Sequence, residues 1–367
     1  MSPSPLRHRP RRALPAVAAA ALLALSGCAA SSDAASGDAA SPDAASPATS
    51  SLLPAAEGVT EYPFTVTSWA GESVVEERPE RVAVIGFSTN LDFVEVLDVT
   101  PVYTITEESP WAWRDPQWLA SIEYTDSATR RDPVNFEAIA ATEPDLIVAL
   151  NFVADESDYA KLAAIAPVLE YGQKQGDKAD WRAGQQLVGD VLDLGAAASA
   201  AVAAADEAVA AVAAAHPEFA GRTITIATDY GPEWGFDYYT PTGGTAEGIL
   251  VDLGFAPNPL ARSFVDDPTI SDENLALLDA DVLVAIYSDE QIRDTREAQP
   301  LFAAVPPVAE GRYVSLAYRE GSDLLLTPDG QEQENATWVL RRGASALSIP
   351  WAVEVIADEW LADVPLG

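Results

Sequence analysis

Ala196-Ala-Ala-Ser-Ala-Ala-Val-Ala-Ala-Ala-Asp206-Glu207-Ala-Val-Ala-Ala-Val-Ala-Ala-Ala215 decides how the rest of the chain is read. Alanine has the highest helix propensity, and a run of this length makes a helix about 30 Å long at 1.5 Å per residue. That length bridges two lobes. A membrane span is disfavoured because Asp206 and Glu207 sit near the middle and alanine is only weakly apolar. His216 ends the run before Pro217, where a basic side chain suits the negative end of the helix dipole.

Strands and helices alternate on both sides of this helix. Upstream, Arg81-Val82-Ala83-Val84-Ile85-Gly86 reads as a buried strand leading into the helical pattern Leu91, Val94, Glu95 and Leu97. A second strand begins at Pro101-Val102-Tyr103, followed by a helix over 136–141, a strand over 145–149 and a helix over 159–165. Downstream, Thr223-Ile224-Thr225-Ile226-Ala227 restarts the pattern, and Gly243-Gly244 opens a helix through Glu247, Ile249, Leu250 and Leu253. The stretch from Glu137 to Leu150 also resembles the stretch from Glu273 to Ile286. The expected fold is α/β, with two Rossmann-like lobes of mainly parallel sheets joined by one long helix. The ligand cleft is expected between the lobes, beyond the strand ends.

At the amino end, Arg7, Arg9, Arg11 and Arg12 precede an apolar run from Ala13 to Leu25, and Leu25-Ser26-Gly27-Cys28 holds the only cysteine. The run is too short to span a bilayer and reads as a lipoprotein signal cleaved before Cys28. Lipidation of Cys28 would anchor the chain on the outer face of the cell membrane; Arg11-Arg12 leaves Sec or Tat export open. Residues 29–58, rich in Ala, Ser, Asp and Pro, read as a disordered spacer. A hairpin is expected from Phe64–Thr67 and Ser73–Val75. The expected divisions are a signal peptide (1–27), lipidated cysteine and linker (28–58), first lobe (59–194), interlobe helix (195–216) and second lobe (217–367).

Composition narrows the chemistry. The whole chain has 21 basic and 57 acidic residues; removing the signal takes four arginines and no acid, leaving 17 against 57. Nucleic acid is therefore not an expected partner. Of the two histidines, His8 leaves with the signal, so a Ser-His-Asp triad, a Cys-His pair and a multi-histidine zinc site all lack partners. No catalytic residue, cofactor or protein-held metal is assigned, and the chain is expected to be a monomer and not to be an enzyme.

Two aromatic clusters stand out. Trp111-Ala-Trp113-Arg114-Asp-Pro-Gln-Trp118 lies in the first half, and Tyr230-Gly-Pro-Glu-Trp234-Gly-Phe236-Asp-Tyr238-Tyr239 follows the first strand of the second. Aromatics on strand-end loops bury large area with few rotors and offer directed N–H and O–H groups. Candidate cleft cations are Arg114, Arg262 and Arg319. Phe87-Ser88, Asn151-Phe152 and Tyr287-Ser288 follow predicted strands and are placed at the cleft as well.

The chain resembles the lipid-anchored solute-binding proteins of ABC importers for ferric siderophores, haem and cobalamin, across residues 62–360. The resemblance rests on Glu77-Arg-Pro-Glu-Arg81-Val-Ala-Val-Ile-Gly86, on Asn135-Phe-Glu137-Ala-Ile-Ala-Ala-Thr-Glu-Pro144-Asp145-Leu-Ile, and on Pro300-Leu-Phe followed by Glu310-Gly311-Arg312-Tyr-Val. It implies capture of a ferric siderophore for an ABC permease and its ATPase, without covalent chemistry. It also implies that Glu137 and Glu247 dock into arginine pockets of the permease; as residues opening helices, both equally suit a capping role. The acidic chain and few expected cleft arginines favour a hydroxamate chelate over a multiply charged catecholate. Haem, cobalamin, or ferric ion held directly by tyrosinates such as Tyr238 and Tyr239 remain alternatives. A surface hydrolase using paired carboxylates is the alternative from another class.

Overall fold

A computed structural model describes residues 51–106 and 111–366. The signal peptide, Cys28 and the spacer up to residue 50 lie outside the described residues. The last part of the expected spacer, Ser51–Gly58, belongs to the fold instead. Leu53 is buried in the main core, and the Glu57 carboxylate accepts from the amides of Ala196 and Ala197 at 2.8 and 2.9 Å. Those are two of the unsatisfied N–H groups at the start of the long helix, whose own N-cap, Leu194, offers no side-chain acceptor.

Beyond a hairpin of β1 (Phe64–Thr67) and β2 (Glu72–Val75), the first lobe is built on β3 (Val82–Val84), β4 (Thr104–Ile105), β5 (Thr125–Asp126), β6 (Leu146–Val148) and β7 (Val168–Leu169). β3, β6 and β7 pair in parallel, as do β4 and β5, and a parallel bridge between Ala83 and Tyr103 links the two sets. Every residue of β3, β6 and β7 is buried, which is why these stretches read as unbroken apolar runs. After β3 the chain turns at Gly86, φ 101°, where a Cβ would meet the Phe152 side chain at 2.6 Å. Glycine there lets the helix Ser88–Glu95 begin directly at the strand end.

The helix Gly195–Ala215 runs for 21 residues, as the opening stretch predicts. It packs against the first-lobe helix Trp181–Val191, the second-lobe helix Thr245–Asp252 and the C-terminal helix Ser348–Glu354. Arg182 ties all this together at the back, reaching Asp206 on the long helix at 2.5 Å and Asp252 on the second lobe at 3.0 Å.

The second lobe carries β8 (Ile224–Asp229), β9 (Phe236–Tyr238), β10 (Thr269–Ile270), β11 (Val282–Tyr287), β12 (Tyr313–Tyr318), β13 (Leu325–Leu326) and β14 (Glu332–Gln333) in one sheet, ordered β10-β9-β8-β11-β12-β13-β14. Its parallel centre, β8-β11-β12, is flanked by antiparallel pairs on both sides. Three of these antiparallel pairs follow short connections: residues 230–235 between β8 and β9, 319–324 between β12 and β13, and 327–331 between β13 and β14 are too few for a parallel crossover.

The C-terminal segment departs from the expected division. Rather than staying in the second lobe, it crosses to the first: Thr89 Oγ1 donates to the Arg342 carbonyl at 2.5 Å, Ser345 Oγ donates to Asp92 at 2.6 Å, and Trp351 packs on Trp113 at 5.0 Å. One apolar core accordingly runs from Val84 and Phe93 through Ala205 to Ile226, Leu250 and Ile356. A shared core of this kind resists wide opening of the lobes.

Candidate functional site

The strand ends of the two lobes face each other across a cleft of about 480 Å³. From the first lobe, residues 84–88 at the end of β3, residues 104–106 of β4 and its exit, Trp111, Arg130 and Arg131 line it. The opposite wall is Tyr230, Tyr239, Tyr318 and Asp323, with Asn335, Thr337, Trp338, Arg341 and Arg342 from the C-terminal segment.

Aromatic rings make the floor. Trp111 stacks between Trp113, at 5.0 Å, and Trp338, at 6.3 Å, while Phe87 meets Trp338 at 5.5 Å. The Trp338 indole N–H donates to Ser88 Oγ at 2.8 Å, so its ring is fixed across the lobe boundary. Arg130 lies over Trp338 at 4.8 Å and Arg342 over Phe87 at 5.3 Å, within cation–π range.

Hydroxyls and charges make the other side. The Tyr230 and Tyr239 hydroxyls share a hydrogen bond of 2.9 Å, and the Arg341 guanidinium stacks on Tyr239 at 4.8 Å. Burial raises the phenol pKa of Tyr230, Tyr239 and Tyr318, keeping all three neutral as donors and acceptors. Asp177, on the first-lobe turn Gly176–Lys178, accepts from Arg341 Nε and Nη2 at 3.1 and 2.9 Å and from Arg342 Nε. Burial pushes the Asp177 carboxyl up, but bonding and charge from Arg342 and Arg341 outweigh it, leaving the pKa below the ordinary value. Asp237 sits 3.3 Å from Arg341; its pKa is raised because burial outweighs that cation.

Of the residues singled out in the sequence, Phe87, Ser88, Trp111, Tyr230 and Tyr239 meet at this cleft. Others lie elsewhere. Arg114 is buried in ion pairs with Asp92 and Glu95, each at 2.6 Å, and Trp113 donates to the same Asp92. Trp118 packs beside Arg114 rather than toward the cleft. Asn151 is a support, its side chain bonded to both N–H and C=O of Gly176 at 3.0 and 2.8 Å, and Phe152 packs behind Phe87 at 6.0 Å. Trp234 is 73% exposed and outside the lining.

Strand alternation explains two further corrections. Tyr238 points opposite to Tyr239, into the second-lobe core against Phe264 at 4.1 Å, so the pair does not converge on one ion. Tyr287 is fully buried and bonded to Tyr313. Arg319 pairs with Glu332 on the surface, and neither Arg319 nor Arg262 is in the lining.

Four cleft arginines, 130, 131, 341 and 342, were not anticipated, so the expectation of few cleft cations does not hold. Their signal was present: the chain past its first dozen residues has two Arg-Arg pairs, and these are both of them. The described lining includes the carboxylate Asp323, and Asp177 and Asp237 stand beside it on Arg341 and Arg342. Glu137 is exposed in the first turn of the helix Phe136–Ala141. Glu247 instead folds back, one oxygen accepting from the Gly243 amide at 2.6 Å and the other buried without a partner among the described residues.

Comparison with known proteins agrees with this geometry. A family model described as periplasmic binding protein matches residues 84–318. The Fe(3+) dicitrate-binding periplasmic protein FecB of Escherichia coli (strain K12) is 28% identical over 239 residues, 65% of this chain and 77% of that protein. A periplasmic solute binding protein from Mycobacterium smegmatis superposes with a TM-score of 0.64 at 24% identity, covering 83% of this chain and 98% of that one. PiaA of Streptococcus pneumoniae, solved in complex with ferrichrome, gives 0.63 at 19% identity, covering 80% of this chain and 96% of its own.

Proposed function

This chain belongs to the periplasmic binding protein family, and from that premise we propose that it captures a ferric siderophore between its lobes and delivers it intact to an ABC permease and its ATPase. The observation that carries the reading is the interlobe cleft itself, which combines an aromatic floor with four guanidiniums and neutral tyrosine hydroxyls. Aromatic faces suit the apolar body of a chelate, and the donors suit the oxygens around its iron. The relative named for ferric dicitrate and the neighbour solved with ferrichrome support iron chelates as the ligand class.

Within that class a chelate of low net charge, such as a hydroxamate, fits best. Asp177 meets Arg341 and Arg342, Asp237 meets Arg341, and Asp323 adds a third carboxylate to the lining, so three carboxylates stand against the four guanidiniums. Cys28, lipidated, would tether the protein outside the cell membrane. Glu137 and Glu247 would dock to the permease, Glu247 swinging away from the Gly243 amide to do so. Charge-assisted carboxylate–arginine contacts suit a partner that must bind and release.

Titration of the mature protein with ferrichrome, ferric citrate, haem and cobalamin tests the ligand. Saturable tryptophan quenching by a ferric chelate that is recovered unchanged is the expected result. Quenching by bare ferric ion alone, or recovery of a cleaved ligand, contradicts it. For docking, Glu137→Ala combined with Glu247→Ala is expected to abolish uptake in cells while ligand affinity stays at the wild-type value. A large loss of affinity would place these residues in folding or binding instead.

A further inference from the structure

We propose that Asp177 bridges the lobes through Arg341 and Arg342 and thereby sets the charge class of ligand that the cleft accepts. The proposal deepens the siderophore reading above and rests on it.

Asp177 is a first-lobe residue bonded both to the C-terminal segment where it crosses between the lobes and to the second lobe itself. Its carboxylate takes three donors from Arg341 and Arg342, and its carbonyl accepts from Thr245 Oγ1 on the second lobe at 3.0 Å. The turn that carries it is held in place by Asn151, which sits at φ 58° and grips Gly176 through both polar atoms of its side chain. The carboxylate is therefore presented to the two arginines by a built support rather than by a free loop.

Arg341 and Arg342 also line the cleft, so Asp177 occupies donors that a ligand's oxygens would use. A chelate with several negative charges must compete with a carboxylate for those donors and meets its repulsion. A neutral chelate meets neither obstacle and accepts from the N–H groups left over. Like-charge juxtaposition of this kind selects against the wrong ligand more than it strengthens the right one. The side chains of Asp177 and Arg341 are 36% and 33% exposed, so the pair is solvated enough to exchange partners.

Wild type, Asp177→Asn and Asp177→Glu, titrated with ferric citrate and with ferrichrome at matched ionic strength, test the proposal. Asp177→Asn is expected to raise affinity for ferric citrate about tenfold and to leave ferrichrome within about twofold. Asp177→Glu, which keeps the charge, is expected to track the wild type. An equal change for both chelates, or weaker ferric citrate binding by Asp177→Asn, would overturn it. If all three proteins bind neither chelate, the siderophore reading falls, and hydrogen exchange of the ligand-free chain then judges the bridge alone. Faster exchange over residues 176–178 and 342–343 in Asp177→Asn supports the bridge; unchanged exchange overturns it.

Discussion

Arg114 with Asp92 and Glu95, and Arg341 and Arg342 with Asp177, are the same chemistry in two settings. In the first, the Arg114 and Asp92 side chains are 2% and 0% exposed; in the second, Arg342 and Asp177 are 38% and 36% exposed. The first is also saturated, since Asp92 further accepts from Trp113 and Ser345. A buried, fully bonded pair cannot release a partner without leaving a charge in the core. A solvated pair at a cleft can. Burial thus separates an arginine that holds the helix Ser88–Glu95 and the C-terminal segment together from arginines available to a ligand.

The largest effect should come from the buried site. Arg114→Ala leaves two buried carboxylates without their cation and is expected to cost about 3–5 kcal/mol in urea unfolding. A cost within the range of an ordinary surface change would break the comparison at its structural end.

Arg341→Ala with Arg342→Ala should behave in the opposite way. Loss of charged hydrogen bonds to chelate oxygens, worth about 1.5–3 kcal/mol, predicts a ten- to hundredfold loss of ferrichrome affinity. Unfolding stability should change little, because exposed ion pairs contribute about 1 kcal/mol or less. Loss of stability with unchanged affinity would reverse the assignment of the two sites.

Acid gives the smallest effect and the sharpest contrast. The Asp177 pKa lies below its ordinary value of 3.8, so its contribution is present above that value and fades as pH falls through the lower folded value. Protection from hydrogen exchange over residues 176–178, relative to the intrinsic rate at each pH, should therefore hold at mildly acidic pH and fall only below the ordinary aspartate range. At Asp92, burial pushes the pKa up against the pull of Arg114, the reverse balance. Loss of that protection at residues 176–178 already near neutral pH would show that another group controls the bridge.

The same contrast explains what the sequence revealed. The alanine-rich helix, the buried strand Val82–Val84 and the hairpin were legible because each is a local pattern, of propensity, burial or turn chemistry. Phe87, Ser88 and Trp111 were legible as cleft residues because they lie in segments that follow β3 and β4. Arg114 was misplaced because an arginine among tryptophans looks the same whether a ligand or Asp92 lies opposite it. Arg341 and Arg342 were missed because their helix reaches the cleft only through a crossing of the C-terminal segment, set by Thr89, Asp92 and Trp113 far away in the chain. Tyr238 and Tyr239 show the limit at a single residue: adjacent in sequence, the last residue of β9 and the one after it send their rings to opposite sides.

Anomalous diffraction at the iron edge from crystals of the mature protein grown with ferrichrome tests the central claim most directly. The iron peak is expected inside the interlobe cleft, between Trp111 and Trp338 on one side and Tyr230 and Tyr239 on the other, with Arg341 or Arg342 on a chelate oxygen. An iron peak on the outer surface of either lobe, or an empty cleft at saturating ferrichrome, would contradict it.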